Sequence, residues 1–342
     1  VYDLCHGCRL WFKFCTACPT LFEFIDQHDD QDSKRLTKAQ QDQVVPECFL
    51  CKLCAINCPY TPAQGHEWQL DFPRLMMRAE QVLARENKAP AKQRVTDKAL
   101  AKTDLVGKLN TTLAPVVNKA LGTSGVRKLM EKAVGISEQR VLPPYAKTRF
   151  SSWFKKRTSE LGRPKQATVA LFPTCLVEYQ NTEVGKDTVK VYEHNGIECT
   201  LPEGQVCCGA PPLHQGDLDT FGAQARTNIK VLSEAIRAAD ARGEHLEIAV
   251  GQPTCSYVLK HDYVQYIGGP DAELVAERSR DVGEYLWSVH KGDDTEISTE
   301  FPGSVPSTTT YQAPCHLRAQ NIGLKSRDLL KLTGTKIKLV AE

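Results

Sequence analysis

The sequence predicts a chain that is α+β at its start and α/β at its end: a cysteine-dense helical region, a helical linker, and Rossmann-like modules of alternating strand and helix. Three observations carry this. Eight of the 14 cysteines fall in the first 58 residues; residues 100–157 contain no cysteine and a large excess of cations; and from residue 166 short apolar runs alternate with helical stretches, with cysteines recurring at the ends of the runs. The expected boundaries are 1–90, 91–165, 166–300 and 301–342.

In the first region, Cys48-x2-Cys51-x2-Cys54-x3-Cys58-Pro59 has the ligand spacing of a bacterial ferredoxin. Three closely spaced thiolates can cap one [4Fe–4S] cube while the fourth, turned away before Pro59, reaches a second. Zinc is the main rival, but zinc ribbons separate their cysteine pairs by more than about ten residues. Upstream, Cys5-x2-Cys8-x2-Trp11-x3-Cys15-x2-Cys18-Pro19 repeats the frame with Trp11 in the place of a cysteine. Indole cannot ligate iron, so three readings stay open: Cys18 substitutes, the cluster is [3Fe–4S], or the recorded residue at position 11 is wrong. By the frame, Cys5, Cys8 and Cys58 hold one cluster, and Cys15, Cys48, Cys51 and Cys54 the other. The acidic insert from Asp26 to Asp32 reads as a solvated loop or helix end. Phe72 to Arg85 reads as a helix, with Pro73 in its first turn and Leu75, Met76, Val82 and Leu83 available for an apolar face.

Residues 100–157 carry 12 Lys and Arg against three Asp and Glu. Val106, Leu109, Leu113, Val117 and Leu121 recur at helical spacing, as do Val126, Met130 and Val134. Such a segment either bridges two parts of its own protein with its charges in water, or lies on an anionic membrane surface or an acidic partner.

Ala167–Phe172 is an apolar strand ending at Pro173-Thr174-Cys175. A helix over about 179–195 leads to a strand at 196–201 and the loop Gln205-Val206-Cys207-Cys208-Gly209. A long helix over about 217–242 precedes a strand at 246–251 that ends at Pro253-Thr254-Cys255. Strand ends of an open α/β sheet share one crevice, so Cys175, Cys207, Cys208 and Cys255 are expected to converge. Cys175 and Cys255 begin helices, where free N–H groups favour thiolate. A pair of buried thiols or a vicinal disulfide is the alternative for 207 and 208. Cys199, inside a strand, reads as a packed, inert thiol. After a polar stretch at 292–308 the pattern restarts: a strand at 308–312, Pro314-Cys315-His316, a helix near 324–333 and a strand near 335–340. This is an internal repeat of the first module, and the chain stops where the second copy is expected to deliver its own Cys-Cys-Gly, leaving that module incomplete.

The order of two ferredoxin-type runs followed by Cys…Cys-Cys-Gly…Cys resembles the C subunits of anaerobic glycerol-3-phosphate dehydrogenases. It is also similar to the iron–sulfur subunits of glycolate and lactate oxidases and of heterodisulfide reductases. The phrases running from Cys48 to Tyr60 and from His66 to Leu75 resemble heterodisulfide reductase-related iron–sulfur proteins. The resemblance implies a two-cluster ferredoxin-like first domain that relays electrons, and a further cluster at Cys175, Cys207, Cys208 and Cys255. In heterodisulfide reductases that cluster is noncubane and cleaves disulfides. Here Cys255-Ser256-Tyr257-Val258 lacks the additional cysteine of some members, which favours a simpler relay. Cys315 is expected to start a second such site with partners beyond Glu342.

The expected function is therefore an iron–sulfur electron-transfer subunit that takes electrons from a flavoprotein dehydrogenase or similar partner to a quinone or other acceptor. The alternatives are a heterodisulfide reductase-type enzyme acting at the Cys-Cys-Gly cluster and a membrane-anchoring subunit. No Gly-rich phosphate loop follows a strand, so no nucleotide or organic-substrate site is expected in the chain itself. A net charge of +2 gives no argument for nucleic acid. No apolar run approaches the ~18 residues of a membrane span. The expected location is the cytoplasm, with peripheral contact at the inner face of the membrane as the variant that the basic segment suggests. His194, His214, His261 and His316 receive no role from sequence.

Overall fold

The computed structural model describes residues 1–10, 15–86 and 91–340; Trp11, and the expectation attached to it, lies outside the described residues. The molecule mixes helices with parallel sheet. Strands β1 (Ala167–Phe172), β2 (Ile197–Thr200), β3 (Leu246–Val250) and β4 (Ser279–Asp281) form a wholly parallel sheet in the order β2-β1-β3-β4. Side chains alternate across it as the two-residue period of a strand requires. Val169 and Leu171 enter one core with Tyr192 and Tyr285. Ala170 and Phe172 enter the other, with Ile248, Val250, Phe221 and Tyr263. Burying a side chain such as Phe172 or Phe221 stabilises the fold by about 2–3 kcal/mol.

The helix Thr182–His194 covers one face, and the long helix Leu218–Asp240 the other, started by the Asp217 carboxylate accepting from Thr220 N–H at 3.0 Å. The core beneath Leu218–Asp240 does not stop at residue 166. It continues without a break into Leu21, Phe22, Ile25, Phe72, Met76 and Met77, so the cysteine-dense region and the sheet share one apolar interior.

The helix Phe72–Arg85 has the boundaries expected, with the Asp71 carboxylate accepting from Arg74 N–H at 2.9 Å and Pro73 in the first turn. Its buried face differs in detail: Met77 is buried and Val82 faces solvent. The linker is a series of short helices, Ala91–Ala101, Thr103–Thr112, Ala114–Leu121 and Ser124–Val134, divided where Pro115 begins a new one. Strands β5 (Thr308–Tyr311) and β6 (Lys336–Leu339) pair in parallel as a separate small sheet. With the helices Cys315–Ala319 and Lys325–Leu332 between them they repeat the path from β1 to β2. The strand β4 has no counterpart in the sequence reading. No described helix is long and apolar enough to cross a membrane.

Candidate metal centres

All 14 cysteines are free thiols, so neither a disulfide framework nor a vicinal disulfide at 207 and 208 is present. Most of the predicted ligands gather into adjoining groups.

Cys5, Cys8, Cys18, Cys54 and Cys58 line one cleft together with Tyr60 and Phe72. Cys18 is buried and its thiol contacts that of Cys15. The loop from Cys48 to Cys54 winds tightly. Leu50 and Lys52, on either side of Cys51, both hold left-handed φ angles, 50° and 62°. Alternating hands turn successive N–H groups toward the loop interior, the backbone concavity that receives anions and sulfur clusters. The N–H groups of Leu50 and Leu53 accordingly point at the sulfurs of Cys48 and Cys51.

Burial pushes Cys5 and Cys48 up to about 11, and Cys54 higher still, with the neighbouring thiols adding to the effect. Sulfurs so placed cannot all ionise together unless a cation joins them. That is the condition iron–sulfur ligation meets. Among the described residues, no three His, Cys, Asp or Glu side chains are grouped as the ligands of a single metal ion.

The other group forms at the carboxyl ends of β1, β2 and β3. Cys175 lies in the helix Thr174–Tyr179 directly after β1, and Cys255 in the helix Pro253–Tyr257 after β3. Thr174 adopts φ 63°, an uncommon conformation for a β-branched residue that turns the chain sharply at the strand end. The thiol of Cys207 contacts Cys175 and Cys208, and Cys208 contacts Cys255, in an unbroken chain of four sulfurs. Cys207 is drawn down by donation from those neighbours, while Cys175 and Cys208 are pushed up. Gly209 sits at φ 92°, and a Cβ there would lie 2.6 Å from the Phe221 ring; only glycine fits this turn. Asn228 fixes the loop, accepting from Val206 N–H at 2.9 Å and donating to the Cys207 carbonyl at 3.1 Å. Cys199 is separate from this group, buried within β2.

Two residues that sequence left unassigned join the regions. Lys52 reaches out of the Cys51–Cys54 loop to the Asp262 carboxylate at 3.1 and 3.2 Å, 3.7 Å above the Tyr257 ring. Both side chains are buried, and desolvation pulls Lys52 down and pushes Asp262 up. His316 Nε2 donates to the Leu50 carbonyl at 2.9 Å, and its Nδ1 faces the Thr254 hydroxyl at 2.9 Å. One imidazole thus spans the residue before Cys51 and the residue before Cys255. Cys315, beside it, lies near enough to Cys51 to raise that thiol. The only sequence signal for Lys52 was a cation placed inside a cysteine loop.

Residues 169–260 match the family described as a cysteine-rich domain, CCG. The chain is 28% identical to the C subunit of anaerobic glycerol-3-phosphate dehydrogenase from Escherichia coli (strain K12) over 232 residues, 68% of this chain and 56% of that relative. It is 29% identical over 171 residues to the B subunit of the fumarate reductase (CoM/CoB) of Methanothermobacter marburgensis, covering 50% of this chain and 30% of the relative. With lactate utilization protein A of Bacillus pumilus it shares 31% identity over 149 residues, 44% and 58% of the two chains. The chain thus spans little more than half the length of these relatives at most. No solved structure matches it. Its four strand-end cysteines therefore lie in a cysteine-rich CCG domain, within a chain similar to the C subunit of anaerobic glycerol-3-phosphate dehydrogenase.

Proposed function

We propose that this chain is an iron–sulfur electron-transfer subunit, relaying electrons from a flavoprotein dehydrogenase or similar partner toward a quinone or another redox acceptor. The observation that carries the reading is the continuity of the thiol groups. Cys5 neighbours Cys8 and Cys58; Cys54 neighbours Cys5, Cys15, Cys48 and Cys51; Cys51 neighbours Cys315; and His316 leads to Thr254 and Cys255. Three metal sites placed along this row would lie in series. The relatives named above point the same way, being subunits of a dehydrogenase and a reductase.

On this reading Cys5, Cys8, Cys18 and Cys58 hold one [4Fe–4S] cluster, with Cys18 in the place that Trp11 cannot fill. Cys15, Cys48, Cys51 and Cys54 hold a second, and Cys175, Cys207, Cys208 and Cys255 a third. Bound clusters supply one-electron carriers whose potentials follow net charge, burial and hydrogen bonds to sulfur. The residues of the chain do the rest: the left-handed turns at Leu50 and Lys52 aim N–H groups at the sulfurs, and the Lys52–Asp262 pair locks the loop to the CCG domain. The ranges 1–90, 91–165, 166–300 and 301–342 serve as ferredoxin-type domain, linker, first CCG domain and start of a second.

Anaerobic purification with metal analysis tests this. The expected result is a brown protein with EPR signals from more than one cluster, copurifying with oxidoreductase subunits. A colourless, iron-free preparation would overturn it. In Cys18→Ser, loss of one [4Fe–4S] signal is expected; an unchanged pair of N-terminal signals removes Cys18 as a ligand.

One observation favours an added peripheral membrane role. Leu105, Leu109, Leu113, Val116 and Leu129 stand 54–69% exposed on the linker helices, among Lys102, Lys108, Lys119, Lys128 and Lys132. Apolar side chains set among cations suit an anionic lipid surface. Flotation with anionic vesicles but not neutral ones, reversed by salt, is the expected result; no flotation with either removes this role.

A further inference from the structure

The helix Thr103–Thr112 belongs by sequence to the linker, yet its first turn is built into the CCG thiol group. Asp104 divides its carboxylate between two partners. Oδ2 accepts from the Cys207 backbone N–H at 2.7 Å, and Oδ1 accepts from the Tyr179 hydroxyl at 2.9 Å. Tyr179 closes the short helix that carries Cys175, so a single side chain ties the main chain of one thiol donor to the helix bearing another. The approach is close by construction. Gly107 lies against the Tyr179 ring, where a Cβ would come within 2.4 Å. Beyond it, the Thr111 hydroxyl and the Ala146 N–H both reach the Tyr179 carbonyl, at 3.5 and 2.8 Å.

Thr103 completes the arrangement. Its Oγ1 is buried and makes no hydrogen bond, and it lies beside the sulfur of Cys207. Leaving a buried hydroxyl without a partner is costly, so it points to a role for which it is held ready. Asp104 also borders a cleft of about 310 Å³ whose lining includes Lys108, Arg149, Cys175 and Cys207.

We propose that Thr103 and Asp104 are positioning residues of the CCG centre: the unpartnered Thr103 hydroxyl turns to donate to the Cys207 sulfur once a cluster is bound, and Asp104 fixes the Cys207 main chain against the Cys175 helix while placing a negative charge beside the centre. The inference rests on the reading that Cys175, Cys207, Cys208 and Cys255 hold a cluster. A hydrogen bond to a ligand sulfur stabilises the reduced, more negative state, and a neighbouring carboxylate disfavours it. The two residues therefore act on the reduction potential in opposite directions.

The test uses the full chain, purified anaerobically, with EPR-monitored redox titration and iron analysis. Thr103→Val is expected to move the midpoint of the CCG-site signal downward and Thr103→Ser to restore it. Asp104→Asn is expected to move the same midpoint upward. The N-terminal signals should stay where they were in all three. Loss of the CCG-site iron alone in Asp104→Asn, with the N-terminal signals intact, also supports the positioning role. Unshifted midpoints with full iron in both Thr103→Val and Asp104→Asn overturn the proposal, as do shifts of the same sign, which a general loosening of the site would give. A Cys207→Ser control separates the two levels: if it binds the same iron and shows the same signals as the parent, the cluster assignment itself has failed and the proposal falls with it.

Discussion

The cysteines of residues 5–58 are presented by turns and short helices within one stretch of chain, whereas those of residues 175–255 arrive from three parallel strands up to 80 positions apart. The first arrangement is local and shallower: Cys8 is exposed, Cys5, Cys15, Cys48, Cys51 and Cys54 are half-buried, and Cys18 and Cys58 are buried. The second is long-range and deep, with Cys207, Cys208 and Cys255 no more than 3% exposed. A loop of cysteines has little besides its ligand to hold its shape, while strand ends are held by the sheet whether or not a ligand is present. The two regions should thus depend on metal to different degrees, although they share one core.

Iron removal gives the largest expected contrast. Anaerobic chelation should abolish hydrogen-exchange protection in residues 1–60 while amides of β1 and β3 stay protected. Equal loss in both regions would erase the distinction. The seam between them comes next. Lys52→Met leaves the Asp262 carboxylate buried without its partner, a loss of about 3–5 kcal/mol, and a Lys52→Met/Asp262→Leu pair should recover most of it in urea unfolding. A single variant that unfolds like the parent would mean the pair does not join the regions.

At the far edge of the sheet, burial holds the Asp281 carboxyl up, at about 6, against a smaller opposing effect of the Gly283 N–H, with Glu284 and Lys260 nearby. An unfolded Asp titrates near ~3.9, so between those values the folded chain keeps a proton that the unfolded chain has released. The contribution of this group to stability is then fullest below about pH 4 and falls by about 2–3 kcal/mol as pH rises through 6. Asp281→Asn should flatten that slope in the urea midpoint, and an unaltered slope would assign it elsewhere. The smallest effect is expected at the turn beside the deep thiols: Gly209→Ala should cost about 1–2 kcal/mol through its left-handed backbone and the Phe221 contact. No measurable change would show that the turn relaxes freely.

Much of this architecture was legible where the signal is local. The strand Ala167–Phe172 announced itself by a short, largely apolar run closed by proline, and the helix Phe72–Arg85 by its early proline and the spacing of its apolar residues. The convergence of Cys175, Cys207, Cys208 and Cys255 followed from strand direction alone. What escaped was long-range or polar. Ser279-Arg280-Asp281 is a strand only because β3 pairs with it. Lys52 and Asp262 lie 210 residues apart, and no periodicity links them. Asp104 was one of three carboxylates in a stretch of cations, and that rarity was its only signal. Leu109 and Leu113, read as part of a helical stripe with Val117 and Leu121, face outward because the helix breaks before Pro115.

Cys199 bears on how the protein is handled. Cys199 is 5% exposed inside β2, its thiol donates to the Ile197 carbonyl at 3.9 Å, and burial pushes that thiol up. It is the one cysteine outside every candidate site, so in protein stripped of iron its alkylation reports opening of the sheet rather than of a ligand group. Its labelling rate is a built-in clock for global opening, against which the accessibility of each candidate ligand can be read.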